Sequence, residues 1–199
     1  MTYPIVLAAL CGITGCLPTS INPLYTDKDL VFDPALVGVW SEKEESKETW
    51  SFEKAGEKEY KVLYTEDDGK TGQFEGHLLK IGDTRFLDLF PDESGIEEMK
   101  RGGFYKVHFL RTHSFLKVAQ IEPALQLTAL DLKWLREFLK TNPKAIRHEK
   151  IGEGDDAQIV LTDSTPELQK FVQKLLKTAG AFGESNDLRR RQTGSKPGK

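Results

Sequence analysis

The chain has 199 residues, 38% hydrophobic and 30% charged, with a formal net charge of −3. A length of this order buries a sizeable core without disulfide staples, because a domain of about 150 residues hides roughly 70% of its extended-chain surface, and two cysteines leave scarcely any staple to form. A mean hydropathy of −0.45 excludes a polytopic membrane protein, and 10% aromatic residues with balanced charge argue against wholesale disorder.

Pro4 to Cys11 make an eight-residue apolar run, followed by Gly12-Ile13-Thr14-Gly15-Cys16. Eight residues fall far short of the about 20 that span a bilayer. A short apolar core followed by small residues is instead the pattern of a secretory signal segment. Ile13-Thr14-Gly15-Cys16 resembles the lipobox of bacterial lipoproteins. The resemblance implies that the Cys16 thiol takes a diacylglyceryl group, that the chain is cut just before it, and that the new amino terminus is acylated. Residues 1–15 are then signal peptide. Cys11 is discarded and Cys16 consumed, so no thiol stays free in an oxidising compartment. The alternatives are a buried N-terminal helix or a non-lipidated signal. Two or three acyl chains anchor firmly, at about 0.8 kcal/mol per buried methylene. Leu17, rather than Asp, follows the cysteine. By the same resemblance this places the protein in the cell envelope, and in a Gram-negative cell at the outer membrane facing the periplasm.

Residues 16–35 carry Pro18, Pro23 and Pro34 with no sustained period and read as a tether. A single β-rich domain is expected over 36–182. Aromatic and β-branched stretches divided by turn residues predict strands at Val37–Glu42, Thr49–Lys54, Glu59–Thr65, Gln73–Ile81 and Thr84–Phe90. Tyr60, Val62 and Tyr64 share one face with Lys61 on the other. Glu66-Asp67-Asp68-Gly69 and Ile81-Gly82-Asp83 suit hairpin turns, so neighbours are expected antiparallel. A charged loop, Pro91–Gly103, precedes further predicted strands at Phe104–Arg111, Ser114–Ile121 and Leu125–Leu130.

Asp131 can cap a helix over Leu132–Lys140 with a stripe of Trp134, Leu135, Phe138 and Leu139, ended by Asn142-Pro143. A short strand, Ala157–Thr162, precedes a second helix opening at Ser164-Thr165-Pro166-Glu167. Its Leu168, Phe171, Val172, Leu175 and Leu176 fall at i, i+3, i+4, i+7 and i+8 and need a surface to cover. Residues 183–199 are polar; their final thirteen carry five basic residues and one Asp, and they read as a disordered basic tail. The fold class is therefore mainly β with C-terminal helices (β or α+β). Eight hairpin-connected strands lose their exposed edges by closing into an up-and-down barrel, with an open or strongly curved sheet as the alternative.

Leu36-Val37-Gly38-Val39-Trp40, entering the first strand, resembles the Gly-x-Trp signature of lipocalins and lipocalin-like barrels. The resemblance implies a structural role for Gly38 and Trp40. The glycine permits close chain approach at the closed end, and the indole plugs the floor beneath an arginine from a late strand, for which Arg111 and Arg147 are the candidates. The lipobox, the strand series, His113-Ser114-Phe115-Leu116 and the helix entry Leu161-Thr162-Asp163-Ser164-Thr165-Pro166-Glu167-Leu168-Gln169 together resemble bacterial envelope lipoproteins, a family that implies an address and not an activity.

Nothing in the sequence points to catalysis or a cofactor. His77, His108, His113 and His148 show no i, i+2 or i, i+4 pair, so no metal is expected. There is no Gly-x-Ser-x-Gly and no free mature thiol. Asp67-Asp68, Glu97-Glu98 and Asp155-Asp156 are adjacent pairs in loops that normally face solvent. Gly152-Glu153-Gly154 lacks a following Lys-Ser/Thr. An acidic body without an aromatic-basic strand motif argues against nucleic acid. Arg189-Arg190-Arg191 with Lys196 and Lys199 reads as a solvated tail, with attraction to anionic lipid as the alternative.

Two functions follow. One is a lipid-anchored envelope binding module for a small apolar or amphipathic ligand, lined by Tyr60, Val62, Tyr64 and Phe74. The other is a structural or protein-interaction lipoprotein whose barrel is filled and whose outer surface, or Pro91–Gly103 loop, carries recognition. Neither is an enzyme. The partners expected are the membrane, through the N-terminal lipid, and in the first case a small apolar ligand; the oligomeric state is left open.

Overall fold

A computed structural model describes residues 17–154 and 157–192. The signal segment, Cys16, Asp155-Asp156, Lys196 and Lys199 lie outside the described residues.

Alternating apolar and polar residues build β2 (Gly38–Ser41), β3 (Thr49–Lys54), β4 (Tyr60–Thr65), β5 (Thr71–Ile81), β6 (Thr84–Pro91), β7 (Ser114–Gln120) and β8 (Ala124–Leu130). They pair antiparallel in chain order, and β11 (Phe182–Arg190) closes the cylinder between β8 and β2. Among the described residues the fold is mainly β: a closed eight-stranded antiparallel barrel with four α-helices, compatible with a lipocalin-like barrel. The helices are α1 (Ser94–Glu97), α2 (Gly103–Lys106), α3 (Leu132–Thr141) and α4 (Thr165–Leu175). Beside the barrel lies a three-stranded sheet in which β1 (Thr19–Ser20) runs parallel to β10 (Gln158–Leu161), and β10 antiparallel to β9 (His148–Ile151).

Three expectations are corrected. The stretch read as a disordered tail from residue 183 is the eighth barrel strand through Arg190. Its polar sequence hid it, because main-chain pairing with β8 from Arg189↔Ala124 to Phe182↔Leu130, rather than a hydrophobic stripe, holds it in place. Phe104–Arg111 is not a strand: β6 pairs directly with β7 from Arg85↔Val118 to Leu89↔Ser114, which leaves no slot between them. The tether is docked over its described length, with Leu17 packed against the inner core and Thr19 paired with Val160. Ser20 and His113 exchange two backbone hydrogen bonds of 2.8 Å, Leu24 N donates to Asp88 Oδ2 at 2.9 Å, and Val31 N donates to Leu78 O at 2.9 Å. These long-range bonds stitch down a strap whose prolines and lack of period suggested a free linker.

The two faces of the strands feed two separate cores. Inward residues such as Trp40, Phe52, Tyr60, Leu78, Leu87, Leu116 and Leu127 fill the barrel. The outward Leu79, Phe86, Phe115 and Leu130 meet Leu135 and Leu139 of α3, Leu168, Phe171 and Val172 of α4, and Leu24 of the strap. Both sides of β6 are therefore buried, which explains its nearly continuous apolar run. Asp131 Oδ1 accepts from Trp134 N at 2.7 Å and caps α3. Ser164 makes no side-chain cap at α4; Thr165 Oγ1 donates instead to Pro23 O at 2.7 Å and ties the helix to the strap.

Phe171 is 4% exposed in this outer core. Phe171→Asp is expected to unfold the domain or detach α4, since an unpaired carboxylate there has no compensating partner. Gln173→Asp, on the exposed side of the same helix, is expected to shift the thermal midpoint little. Equal melts for the two variants would contradict the packing.

Asp163 secures β10 and the strap to the preceding loop. Its Oδ2 accepts from Arg147 N at 3.0 Å and its Oδ1 from Arg147 Nε at 2.9 Å, while its carbonyl accepts from Asn22 Nδ2 at 2.9 Å. The backbone and side-chain bonds from Arg147 hold the Asp163 carboxyl below its ordinary value of 3.8. A depressed folded pKa contributes stability that is present above pH 3.8 and lost as pH falls through the lower folded value. Asp163→Asn is expected to cost about 2 kcal/mol at neutral pH and to flatten that acid limb. Urea titrations at neutral and acid pH check both effects.

Candidate functional site

The barrel interior and its two ends are the places the sequence marks for function. At the floor, the 3-10 turn Pro34–Leu36 crosses the end of the barrel, with Asp33 Oδ1 accepting from Ala35 N at 3.0 Å. Leu36 is fully buried, and its carbonyl accepts from Trp40 Nε1 at 2.9 Å. The arginine over Trp40 is neither Arg111 nor Arg147 but Arg190 of β11. Its guanidinium lies 4.3 Å from the Trp40 ring centroid and donates to Val37 O at 2.5 Å, Ala35 O at 2.5 Å and Glu122 Oε1 at 3.1 Å. Gly38 has φ +144°, and a Cβ there would fall on Arg190 Nη1. The glycine is therefore required both by backbone conformation and by the close approach of the guanidinium. Arg191 is likewise engaged, with Nε donating to Ser41 Oγ at 2.8 Å and a further bond to Ser46 O. Two of the three consecutive arginines thus close the barrel instead of forming a free basic patch.

The four residues expected to line a cavity divide into two pairs. Tyr60 and Val62 are 0% exposed. The Tyr60 hydroxyl donates to Asp33 O at 3.0 Å and accepts from Asp33 N at 2.7 Å, and Phe32 stacks on its ring at 4.9 Å. Tyr60 thus pins the floor strap and lines no space. Gly76 confirms the tightness beside them, since a Cβ there would lie 2.5 Å from Val62 Cγ2. Tyr64 and Phe74 are half-buried and pack on the rim of the inner core. Tyr64 Oη donates to Glu48 Oε1 at 2.9 Å; burial, then the Glu48 carboxylate, push its pKa well up. Across from Tyr64 on β3, Trp50, 4% exposed, lies 4.6 Å from the Tyr64 ring, and its Nε1 is buried without a partner.

On the outer wall an unexpected polar cluster holds the strap. Asp88 is fully buried; its Oδ1 accepts from His113 Nδ1 at 2.7 Å and its Oδ2 from Leu24 N at 2.9 Å. Tyr25 Oη and His77 Nδ1 lie 3.2 Å apart beside it. Burial, with Asp88 second, raises the Tyr25 pKa to about 12, and burial lowers that of His77. An Asp–His pair can orient an imidazole for base catalysis, but the nearby Ser20 Oγ is committed to Asn22 O at 2.7 Å. The pair's evident work is to fasten the strap. Sequence reading missed it because Asp88, His113 and Leu24 are far apart in the chain and match no motif.

Among the described residues a groove of about 380 Å³ lies between Val31–Asp33 and the β5–β6 hairpin. Its charges pair off, Arg85 with Asp33 at 3.3 Å and Lys80 with Asp83 at 3.9 Å. Among the described residues no group of three or more His, Cys, Asp or Glu is arranged to hold a metal ion. No helix of the described residues is long and apolar enough to cross a membrane.

No family model, no curated protein and no solved structure matches the chain. Function rests on geometry alone. An eight-stranded barrel is compatible with ligand binding; what decides between readings is how its interior is occupied.

Proposed function

We propose that the chain is a lipid-anchored cell-envelope protein, acylated at Cys16, that works as an interaction module through its outer surface rather than as an enzyme or a small-molecule carrier. The observation that carries this reading is the interior. Trp40, Tyr60, Val62, Leu78, Leu87, Leu116, Leu125 and Leu127, drawn from six strands, have no accessible surface. An eight-stranded barrel is just wide enough for side chains to fill, and side chains without accessible surface leave no room for a water beside them, still less a ligand. The address is supported by the lipobox resemblance and by the early docking of the strap, which leaves only Leu17–Thr19 between Cys16 and the first residue bonded to the barrel wall. Outer-membrane placement facing the periplasm follows from Leu17 if the cell is Gram-negative.

Cys16→Ser is expected to abolish incorporation of a fatty-acid analogue and to release the protein from membranes. Undiminished labelling of the variant would refute acylation at this cysteine.

A second reading has one observation in its favour. The unpartnered Trp50 Nε1, beside half-buried Tyr64 and Phe74, offers a donor and apolar surface to a small amphipathic molecule entering from the end opposite the floor. Under that reading Trp50→Phe weakens binding of the molecule that co-purifies with the protein; under the filled-barrel reading no molecule co-purifies.

A further inference from the structure

Between β6 and β7 the chain leaves the barrel and returns at a clamped base. Arg111 Nη1 donates to Pro91 O at 3.0 Å, Nη2 pairs with Glu93 at 2.8 Å, and the guanidinium lies 4.4 Å from the Phe90 ring centroid. Beyond this clamp the segment exposes large apolar side chains: Phe104 is 85% exposed, Val107 75%, Leu110 70% and Tyr105 52%. A cluster of this kind on a surface marks an interaction site. Its charge is one-sided. From Met99 to Arg111 there are four Lys or Arg and no Asp or Glu. The acidic residues of the connection, Asp92, Glu93, Glu97 and Glu98, all precede it. Glu93 and Glu75 are paired with Arg111, and Lys106 Nζ donates to the Glu97 main-chain carbonyl at 2.5 Å, a bond in which the Glu97 carboxylate takes no part.

Position selects the occupant. The segment ends at His113, which is bonded through both backbone groups to Ser20. Cys16 is four residues before Ser20, a reach of at most about 14 Å. The chain that leads to Cys16 and the returning end of the segment therefore meet at one pair of backbone bonds.

We propose that Met99–Arg111 docks on an anionic bilayer surface, with Phe104, Val107 and Leu110 entering the headgroup–acyl boundary and Lys100, Arg101 and Lys106 meeting lipid phosphates. Interfacial segments combine aromatic and aliphatic side chains with cations in this way. A single acylated residue sets distance from the membrane but not orientation; a second contact beside it holds the barrel at a fixed tilt and leaves the far wall free for partners. The inference takes its nearness to the membrane from the Cys16 reading, but it is tested without the anchor.

Every described element begins at Thr19 or later, so a chain starting at Leu17 carries the fold and lacks the lipid. Flotation with vesicles of phosphatidylcholine and phosphatidylglycerol, against phosphatidylcholine alone, measures its partition. Binding to the mixed vesicles is expected. F104S/V107S/L110S weakens it by about tenfold or more, through lost apolar burial. K100Q/R101Q/K106Q weakens it by about a hundredfold, near fivefold per charge, and abolishes the preference for phosphatidylglycerol. All six side chains lie outside both cores, and unchanged near-UV circular dichroism verifies the fold. Absence of vesicle binding by the parent chain, or equal binding by parent and both variants, overturns the proposal. A chain that binds vesicles here while Cys16→Ser still labels would instead leave the docking intact and refute only the anchor.

Discussion

A chain ending at Ala181 is expected not to fold. Removing β11 opens the cylinder along both of its partners and strips the floor of Arg190. Two unpaired edges then flank an exposed apolar interior, the arrangement that templates aggregation. The loss comprises the bonded register with β8, the 4%-exposed Leu188 of the inner core and the guanidinium over Trp40. Together these approach the whole 5–15 kcal/mol by which domains of this kind are stable. Ending the chain at Gln192 is expected to leave the thermal midpoint unchanged, because β11 closes by Arg190 and the Arg191 contacts are kept. A shorter chain that melts cooperatively at the parental temperature would contradict closure by this strand.

Trp40→Ala is expected to cost about 3–5 kcal/mol, the range for emptying a fully buried large aromatic site. The indole is 0% exposed, donates to Leu36 O and carries the Arg190 guanidinium on its face. Its removal opens a void and leaves Arg190 without the ring that positions it. Arg190→Met should lose less, and the double variant should lose less than the sum, with a coupling of about 1 kcal/mol. Urea denaturation of the four chains measures this. A cost below about 1 kcal/mol for Trp40→Ala would place the indole outside the floor.

Much of the barrel was legible because its strands obey period two. Tyr60-Lys61-Val62 and the hairpin turns at Gly69 and Gly82, with φ of +85° and +60°, announce themselves in the sequence. The helices were legible because Asp131 caps one and a regular stripe marks the other. What misled were segments where chemistry and conformation part company. β11 is polar but held by main-chain bonds; Phe104–Arg111 is apolar and aromatic but exposed; the strap is proline-rich but stitched down by Asp88 and His113. The Gly-x-Trp resemblance marks Gly38 and Trp40, but their arginine, Arg190, stands on a polar strand that carries no periodic signal. Tyr60 and Val62 belong to the inner core. With no accessible surface their side chains pack, and of the four residues expected to line a cavity only the half-buried Tyr64 and Phe74 sit near an opening.

The measurement that tests the account most directly is native mass spectrometry of the protein extracted intact from the membranes of the cell that makes it. The account predicts the mass of a chain beginning at Cys16, increased by a diacylglyceryl group and an amino-terminal acyl chain, with no further non-covalent mass at low collision energy. An unmodified Cys16, or a reproducible small molecule that leaves only on activation, would contradict it.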